Sequence, residues 1–131
     1  MNRSDILIFW IHVIMQFQIE PLGVSVDLNN KYNCGVSGCT NNLLPGCPKE
    51  LKELNSAGQL VVCMSSCAVF KTDEYCCGGD HGTPETCPTD SWAVNSARYF
   101  KDNCPGAYSY AYDDQASTYI CTTNAYRITF T

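Results

Sequence analysis

Charged residues are scarce in this sequence, and basic residues are the scarcest. Only 16% of the 131 positions are charged, with 8 Lys or Arg against 13 Asp or Glu, and the formal net charge is −5. The basic residues stand singly, as at Lys31, Lys49 and Lys71, and form no cluster. A protein that binds nucleic acid through its phosphates needs a basic patch or stripe. We therefore expect no nucleic-acid partner.

The chain also lacks an apolar stretch long enough to cross a membrane. The longest apolar run extends from Ile6 to Met15, whereas a membrane-spanning helix needs about 20 residues. The run has the length of the apolar part of a secretory signal. Such a signal also needs a positive start and a small-residue cleavage site. Asp5 weakens the positive start, His12 interrupts the run, and residues 16–21 offer no Ala-x-Ala-like site. The signal pattern is therefore only partly met.

Cysteine, in contrast, is abundant, with ten residues in a short chain. This proportion is typical of a disulfide scaffold in a secreted protein, and an even number allows complete pairing. Each well-placed bridge stabilises such a fold by about 2–4 kcal/mol. Because Cys76 and Cys77 are adjacent and no Cys-x2-Cys pair occurs, a tetrahedral zinc site is not expected. We expect an extracellular protein without a metal or cofactor, whose pairing the spacing alone leaves open.

Local patterns in the first hundred residues predict short elements separated by loops. Pro48 suits the first turn of a helix in which Leu51 and Leu54 share one face. The spacing of Cys63 and Cys67 would place both sulfurs on one face of a helix. The predicted elements are a strand over residues 22–28 and helices over 48–54 and 89–104.

The final segment has the pattern of strands. Tyr108, Tyr110 and Tyr112 alternate with small residues, which is typical of a half-buried strand. Residues 113–117 are predicted as a turn, and 118–122 and 126–130 as two more strands. The tyrosines could form part of a core or stack on sugar rings. These patterns predict a stapled helix-and-loop subdomain that leads into a β-meander.

The cysteines and their neighbours carry the most specific signal. They include Tyr75-Cys-Cys77, Cys87-Pro-Thr89, Phe100-Lys-x-x-Cys-Pro105, Ala107-Tyr-Ser-Tyr110 and Tyr126-Arg-Ile-Thr-Phe130. In this order they resemble the thaumatin-like, or pathogenesis-related group 5, family of plants over residues 34–130. The resemblance fades before residue 34, and residues 1–18 match nothing familiar.

This resemblance implies a mainly β fold: a partial thaumatin-like β-sandwich with a disulfide-rich helix/loop subdomain. Residues 1–33 are then a divergent N-terminal segment. Residues 34–131 form the partial domain, with the disulfide-rich subdomain at 39–104 and the β-meander at 105–131. The family usually has one more cysteine, where this chain has Thr131, bonded to one near the mature amino terminus. The resemblance thus implies a truncated variant that matches the carboxyl-terminal half of the family.

The family's pairing, carried over position by position, implies five bridges and no free thiol. They are Cys34–Cys121, Cys39–Cys104, Cys47–Cys63, Cys67–Cys76 and Cys77–Cys87.

The resemblance also implies a function. Family members carry an acidic cleft that is linked to β-1,3-glucan binding and, in some members, to weak glucan hydrolysis. Only Asp113 matches a cleft acid here, and hydrolysis needs two carboxyl groups. We therefore expect a non-enzymatic, plant-defence-type protein whose binding to β-1,3-glucan or a fungal wall or membrane surface is impaired by the loss of the amino-terminal half.

Three other interpretations stay open at this point. Asp113 and Asp114 together could be no more than a solvated turn. The chain could be a hydrolase-inhibitor-like protein-binding module that uses exposed loops such as Cys77 to Cys87. It could also be a non-functional fragment of a thaumatin-like gene.

Overall fold

A computed structural model describes residues 17–23 and 34–130. The apolar run from Ile6 to Met15 lies outside the described residues. Within them, two small sheets and several short helices are joined by five disulfides, so the predicted fold class is confirmed. The strands are β1 (Phe17–Leu22), β2 (Ser37–Cys39), β3 (Lys52–Leu54), β4 (Leu60–Cys63) and β5 (Ala125–Phe130). The α-helices are α1 (Ser66–Phe70), α2 (Asp73–Cys76), α3 (Ser96–Asn103) and α4 (Asp114–Ser117), with 3-10 turns at Lys49–Leu51, Gly79–His81 and Thr89–Ser91.

The larger sheet has the order β2-β1-β5, with β1 antiparallel to both neighbours. Across β1 and β5, Glu20 forms an ion pair with Arg127. Gly38 in β2 has a φ of 113°, and a Cβ there would lie 2.3 Å from the carbonyl oxygen of Phe17. Only glycine fits this approach of the two strands.

β1 lies mostly before the strand predicted over residues 22–28, of which only Leu22 and Gly23 are described. The strand ends at Leu22, and residues 24–28 lie outside the described residues. β1 is the central strand of the sheet, so residues 17–22 pair with strands that lie after residue 34. The sequence pattern missed the strand because Glu20 and Pro21 interrupt its apolar alternation.

The core lies in the disulfide-rich part of the chain, residues 39–104, which we call the stapled region. Leu51 is fully buried at its centre, and Phe100 of α3 is 3% exposed. Ser66 and Ser96, both buried, exchange hydrogen bonds in which each hydroxyl accepts from the other's backbone N–H, at 2.9 and 3.3 Å. These bonds join the first turns of α1 and α3. The main cluster consists of Cys39, Leu43, Cys47, Leu51, Cys63, Phe100, Cys104 and Ala107.

Residues 48–54 are not one helix, as was predicted. A single 3-10 turn at Lys49–Leu51 passes directly into β3, which pairs with β4. The connecting turn is held by Asn55, whose side-chain oxygen accepts from the backbone N–H groups of Ala57 and Gln59 at 3.0 and 2.9 Å. Strand pairing satisfies the backbone here, and this tertiary context overrides the local helical preference.

Cys63 and Cys67 do not share a helix face. Cys63 ends β4, whereas Cys67 lies in α1, which begins after Ser65. The Ser65 hydroxyl caps this helix by accepting from Ala68 N–H at 3.1 Å. The predicted helix over 89–104 is interrupted in a similar way. A 3-10 turn at Thr89–Ser91 precedes α3, which starts only at Ser96 with Asn95 as its cap.

The predicted β-meander is wrong. Among the described residues after 104, β5 alone is a regular strand, and its partner is β1 rather than a neighbour in sequence. Residues 107–112 turn instead of extending, and α4 replaces the predicted turn at 113–117. The alternating tyrosines suggested a strand because period-2 patterning does not distinguish a strand from a buried irregular segment whose side chains point to several neighbours.

The ten cysteines form five bridges, and none of the ten is free. The adjacent pair Cys76 and Cys77 reaches two different partners because Cys77 ends α2 in the left-handed conformation, with a φ of 53°. This reversal is unusual for a residue with a side chain. The bridges are Cys34–Cys121, Cys39–Cys104, Cys47–Cys63, Cys67–Cys76 and Cys77–Cys87, the five pairs that the resemblance implies.

Candidate functional site

Asp113, the one cleft acid that the sequence predicts, lies just before α4 with a side chain that is 11% exposed. Its Oδ2 accepts from the backbone N–H of Ser109 at 3.0 Å and from the Ser109 hydroxyl at 3.1 Å. The Ser117 hydroxyl is 2.9 Å from the same oxygen. Asp113 is therefore not part of a solvated turn.

Lys101 completes this network from α3. Its Nζ lies 2.6 Å from Asp113 Oδ2 and donates to the carbonyl oxygen of Ala107 at 2.6 Å and to the Ser117 hydroxyl at 2.8 Å. Charge-assisted hydrogen bonds of this kind are stronger than neutral ones. The ammonium and the carboxylate together fasten residues 107–117 onto α3. The arrangement is that of a structural ion pair.

Asp114 points to other partners. Its Oδ1 accepts from the Tyr108 hydroxyl at 2.7 Å, and this hydroxyl also lies 2.9 Å from Thr118 Oγ1. Tyr108 is 5% exposed. The two adjacent carboxylates thus stabilise the same segment from two sides, and neither is presented as an isolated acid.

A second cluster of aromatic rings joins this segment to the loop closed by Cys77–Cys87. Trp92 is buried, and the rings of Tyr75 and Tyr110 contact it edge-on, with centroid distances of 5.3 and 6.1 Å. Burial raises the pKa of the Tyr110 hydroxyl, and the nearby carboxylates of Asp113, Asp114 and Asp90 raise it further. Tyr108, Tyr110 and Tyr112 belong to the core and its margin, not to a flat sugar-stacking face.

The Cys77–Cys87 loop, named above as a protein-binding candidate, is ordered by its own hydrogen bonds. Thr83 N–H donates to the Thr86 hydroxyl at 3.0 Å, and His81 Nδ1–H donates to the carbonyl oxygen of Thr86 at 2.8 Å. The Tyr112 hydroxyl donates to the carbonyl oxygen of Gly82 at 2.6 Å, which ties the loop to the aromatic cluster. A loop held in this way presents its exposed side chains at fixed positions.

Within residues 17–23 and 34–130, the His, Cys, Asp and Glu side chains form no group of three or more that is placed to bind a metal ion. The same residues contain no helix that is both long and apolar enough to span a bilayer.

Comparison with known proteins identifies the family. The model of the thaumatin family matches residues 8–131, nearly the whole chain. The chain belongs to the thaumatin family. The match begins well before residue 34, so the likeness to this family reaches further toward the amino terminus than the motifs indicated.

Three relatives in the thaumatin family illustrate its range. The chain is 48% identical to pathogenesis-related thaumatin-like protein 3.5 of Cryptomeria japonica, over 84% of this chain and 43% of that protein. It is 45% identical to pathogenesis-related protein 5 of Arabidopsis thaliana, over 86% of this chain and 42% of that protein. It is 42% identical to glucan endo-1,3-beta-glucosidase of Prunus avium, over 75% of this chain and 39% of that protein.

The chain spans about two fifths of the length of these relatives. Five disulfides, together with pathogenesis-related relatives, indicate an extracellular protein.

The sequence analysis did not identify Lys101, Ser109 and Ser117 as partners of Asp113, because no spacing rule links them. The sequence does show an excess of acidic side chains around the Cys77–Cys87 loop, because residues 72–97 contain five acidic residues and no Lys or Arg.

Proposed function

We propose that this chain is a non-enzymatic plant-defence protein of the thaumatin family that binds β-1,3-glucan, the polymer of fungal walls, without cleaving it. The observation that carries the proposal is the bonding of Asp113. Its Oδ2 is held by Lys101, Ser109 and Ser117, so proton transfer at this oxygen would have to break several hydrogen bonds.

The chemistry of glycoside cleavage supports the same conclusion. The reaction uses two carboxyl groups on opposite sides of the scissile bond, one of them as a general acid. Asp114 does not supply the second, since it accepts a hydrogen bond from Tyr108. Glucan as the ligand class is supported by the relative named glucan endo-1,3-beta-glucosidase, which is 42% identical over the matched region.

Sedimentation with insoluble β-1,3-glucan tests the proposal, with cellulose as the control for linkage. We expect the oxidised chain to sediment with the β-1,3-glucan, to remain in solution with cellulose, and to release no reducing sugar from laminarin. Asp113→Ala should release as little sugar as the parent chain, because one carboxylate cannot act as both acid and base. Sugar release that disappears in Asp113→Ala would overturn the non-enzymatic assignment. If the chain sediments with neither polymer, the binding assignment is overturned and the interpretation as a non-functional fragment is favoured.

A further inference from the structure

β5 is an edge strand of the larger sheet, and none of the strands within residues 17–23 and 34–130 pairs with its outer side. All six of its residues are exposed. The outer side of an edge strand presents backbone N–H and C=O groups to which another strand can bond. The outer side of β5 is therefore a candidate interaction surface.

Two other sheet edges carry features that oppose pairing with another chain. β2 is only three residues long and contains Gly38 with a φ of 113°. β3 carries Lys52 and Glu53, and its pairing with β4 is irregular between Glu53 and Leu54. Short length, charged side chains and irregular pairing are common protections of an edge. β5, in contrast, pairs with β1 over six residues without a register shift and contains no proline.

The single charge of β5 does not protect its edge. Arg127 forms an ion pair with Glu20 of β1, which lies directly opposite in the ladder. The acidic partner thus compensates the positive charge within the same molecule. A second strand that approaches the outer side of β5 meets no uncompensated charge there.

The side chains of β5 form one apolar and one more polar face. Tyr126, Ile128 and Phe130 alternate with other residues and therefore share a face, and they are 55%, 55% and 63% exposed. This apolar face continues onto β1, where the ring of Phe17 lies 6.4 Å from that of Phe130. A partner strand that matches β5 must present apolar residues with the same alternation.

We propose that β5 pairs antiparallel with the β5 strand of a second copy of this chain, around a two-fold axis at Ile128. In this register Ile128 lies opposite its own counterpart, Tyr126 lies opposite Phe130, and Arg127 lies opposite Thr129. Pairs of aromatic and of β-branched side chains stabilise antiparallel strands. Ala125 lies outside the pairing, and the Thr123 hydroxyl already bonds both its backbone N–H and its carbonyl oxygen, at 3.2 and 3.0 Å.

The neighbouring registers fit less well. A slip of one residue would place the apolar side chains of one copy on the polar face of the other, because side chains alternate between faces. A slip of two residues moves the axis to Arg127 and places two guanidinium groups directly opposite each other, which is destabilising. The pattern of β5 therefore favours its own copy in a single register, as expected of a two-fold interface.

The interface is small, so the dimer is weak. Residues 126–130 of each copy take part, and five residues of antiparallel strand extend over about 17 Å. Interfaces below about 1,200 Å² are typical of transient complexes. We expect a dissociation constant on the order of 100 µM. The dimer uses neither Asp113 nor its partners and does not depend on glucan binding.

Sedimentation velocity of the full oxidised chain tests the proposal over concentrations from about 10 µM to about 1 mM, which bracket the expected dissociation constant. The weight-average mass should rise from the 14.5 kDa of one chain toward twice that value. Hydrogen exchange over the same concentrations locates the interface. Exchange at residues 126–130 should slow as the concentration rises, whereas exchange in α3 should not change.

A lysine at the two-fold axis should weaken the dimer most. Ile128→Lys places two ammonium groups opposite each other, and we expect the dissociation constant to rise by about tenfold or more. The matched control is Leu54→Lys, on the edge strand β3 of the other sheet. Leu54 is 56% exposed against 55% for Ile128, and the change in net charge is the same. This control should dimerise as the parent chain does.

A second pair of variants tests the register. Thr129→Glu places a carboxylate opposite Arg127 twice in the dimer, so it should lower the dissociation constant by about threefold relative to the neutral Thr129→Gln. If these two variants dimerise equally, the register with its axis at Ile128 is wrong.

Four further results would overturn the proposal. The first is a mass of one chain at every concentration, and strong protection of residues 126–130 in that monomer would show that the chain covers its own edge. The second is equal weakening by Ile128→Lys and Leu54→Lys. The third is a dimer in which exchange at residues 126–130 is independent of concentration. The fourth is a mass that passes that of two chains, since a two-fold interface closes at the dimer.

Discussion

The stapled region and the three-stranded sheet are stabilised in different ways. Four of the five bridges join cysteines within residues 39–104, and they enclose a core in which Leu51 is fully buried. In the sheet, Cys39 of β2 is bonded to Cys104, Cys34–Cys121 lies at the margin, and every residue of β5 is exposed. A short chain can thus stabilise one part covalently and leave another dependent on strand pairing.

The difference follows the distribution of apolar surface. In β5, Tyr126, Ile128 and Phe130 are 55–63% exposed and lie opposite Pro21, Ile19 and Phe17 of β1. Disulfides compensate for a small core in the stapled region. β5 is an edge strand with no partner on its outer side among the described residues, and such an edge favours pairing with another chain. The part of the chain that the core stabilises also extends beyond residue 104. Ala107 belongs to the main core cluster, so the weaker part is β5 rather than everything after residue 104.

Removal of Cys47–Cys63, a buried bridge of the stapled region, should have the largest effect on stability. Cys47 and Cys63 are 5% and 2% exposed, and replacing both by alanine should lower the free energy of unfolding by about 3 kcal/mol. Replacing Cys34 and Cys121 should cost less, because Cys39–Cys104 already closes most of the same loop. Urea unfolding of the two double variants measures the order. A larger loss for the Cys34 and Cys121 variant would contradict the comparison.

Loss of the Asp113 carboxylate should have the next largest effect. Asp113→Ala removes the carboxylate that pairs with the Lys101 ammonium and accepts from the buried Ser109, so we expect a loss of about 2 kcal/mol in unfolding free energy. The control is Asp102→Ala, an exposed site on α3, with an expected change within about 0.5 kcal/mol. Equal effects in urea unfolding would show that Asp113 is no more than a surface charge.

A smaller effect on stability is expected in β5. Ile128→Lys should change the free energy of unfolding by no more than about 1 kcal/mol, because Ile128 is largely exposed. The same substitution should reduce concentration-dependent self-association, measured by sedimentation velocity, since a lysine on an edge strand opposes pairing. In parallel, hydrogen exchange should be faster at residues 125–130 than in α3. Equal protection of these two segments in a monomer would remove the distinction between the regions.

The smallest effect concerns Tyr110, whose ring contacts Trp92 and whose hydroxyl is affected by the carboxylates of Asp113, Asp114 and Asp90. Burial and the neighbouring carboxylates raise the pKa of Tyr110 above 10.0. The neutral phenol is favoured in the folded state, so this contribution to stability is present below the unfolded pKa and is lost as pH rises toward the folded one. An ultraviolet titration of the parent chain minus that of Tyr110→Phe isolates this group. Asp90→Asn should lower the pKa slightly, while Glu53→Gln should leave it unchanged.

Cysteine content, charge and the flanking motifs predicted the fold class, the family and the extracellular character from sequence alone. These properties depend on composition and on local order along the chain. Tyr75-Cys-Cys77 and Phe100-Lys-x-x-Cys-Pro105 are specific because each keeps several residues in register with a cysteine. The same information placed the last strand within a residue of its observed bounds, at Ala125–Phe130.

Only the tertiary structure decided how distant segments meet. The partner of β5 is β1, about a hundred residues earlier, and a strand's own pattern does not name its partner. The sequence left Asp113 as a cleft acid or part of a solvated turn, and its partly buried ion pair with Lys101 of α3 depends on how the chain folds. Glu74 of α2 and the loop residues Asp80 and Glu85 line one cavity because the Cys77–Cys87 bridge folds the loop back beside α2. Composition determines which interactions the chain can make, whereas chain folding determines which groups come within range of one another.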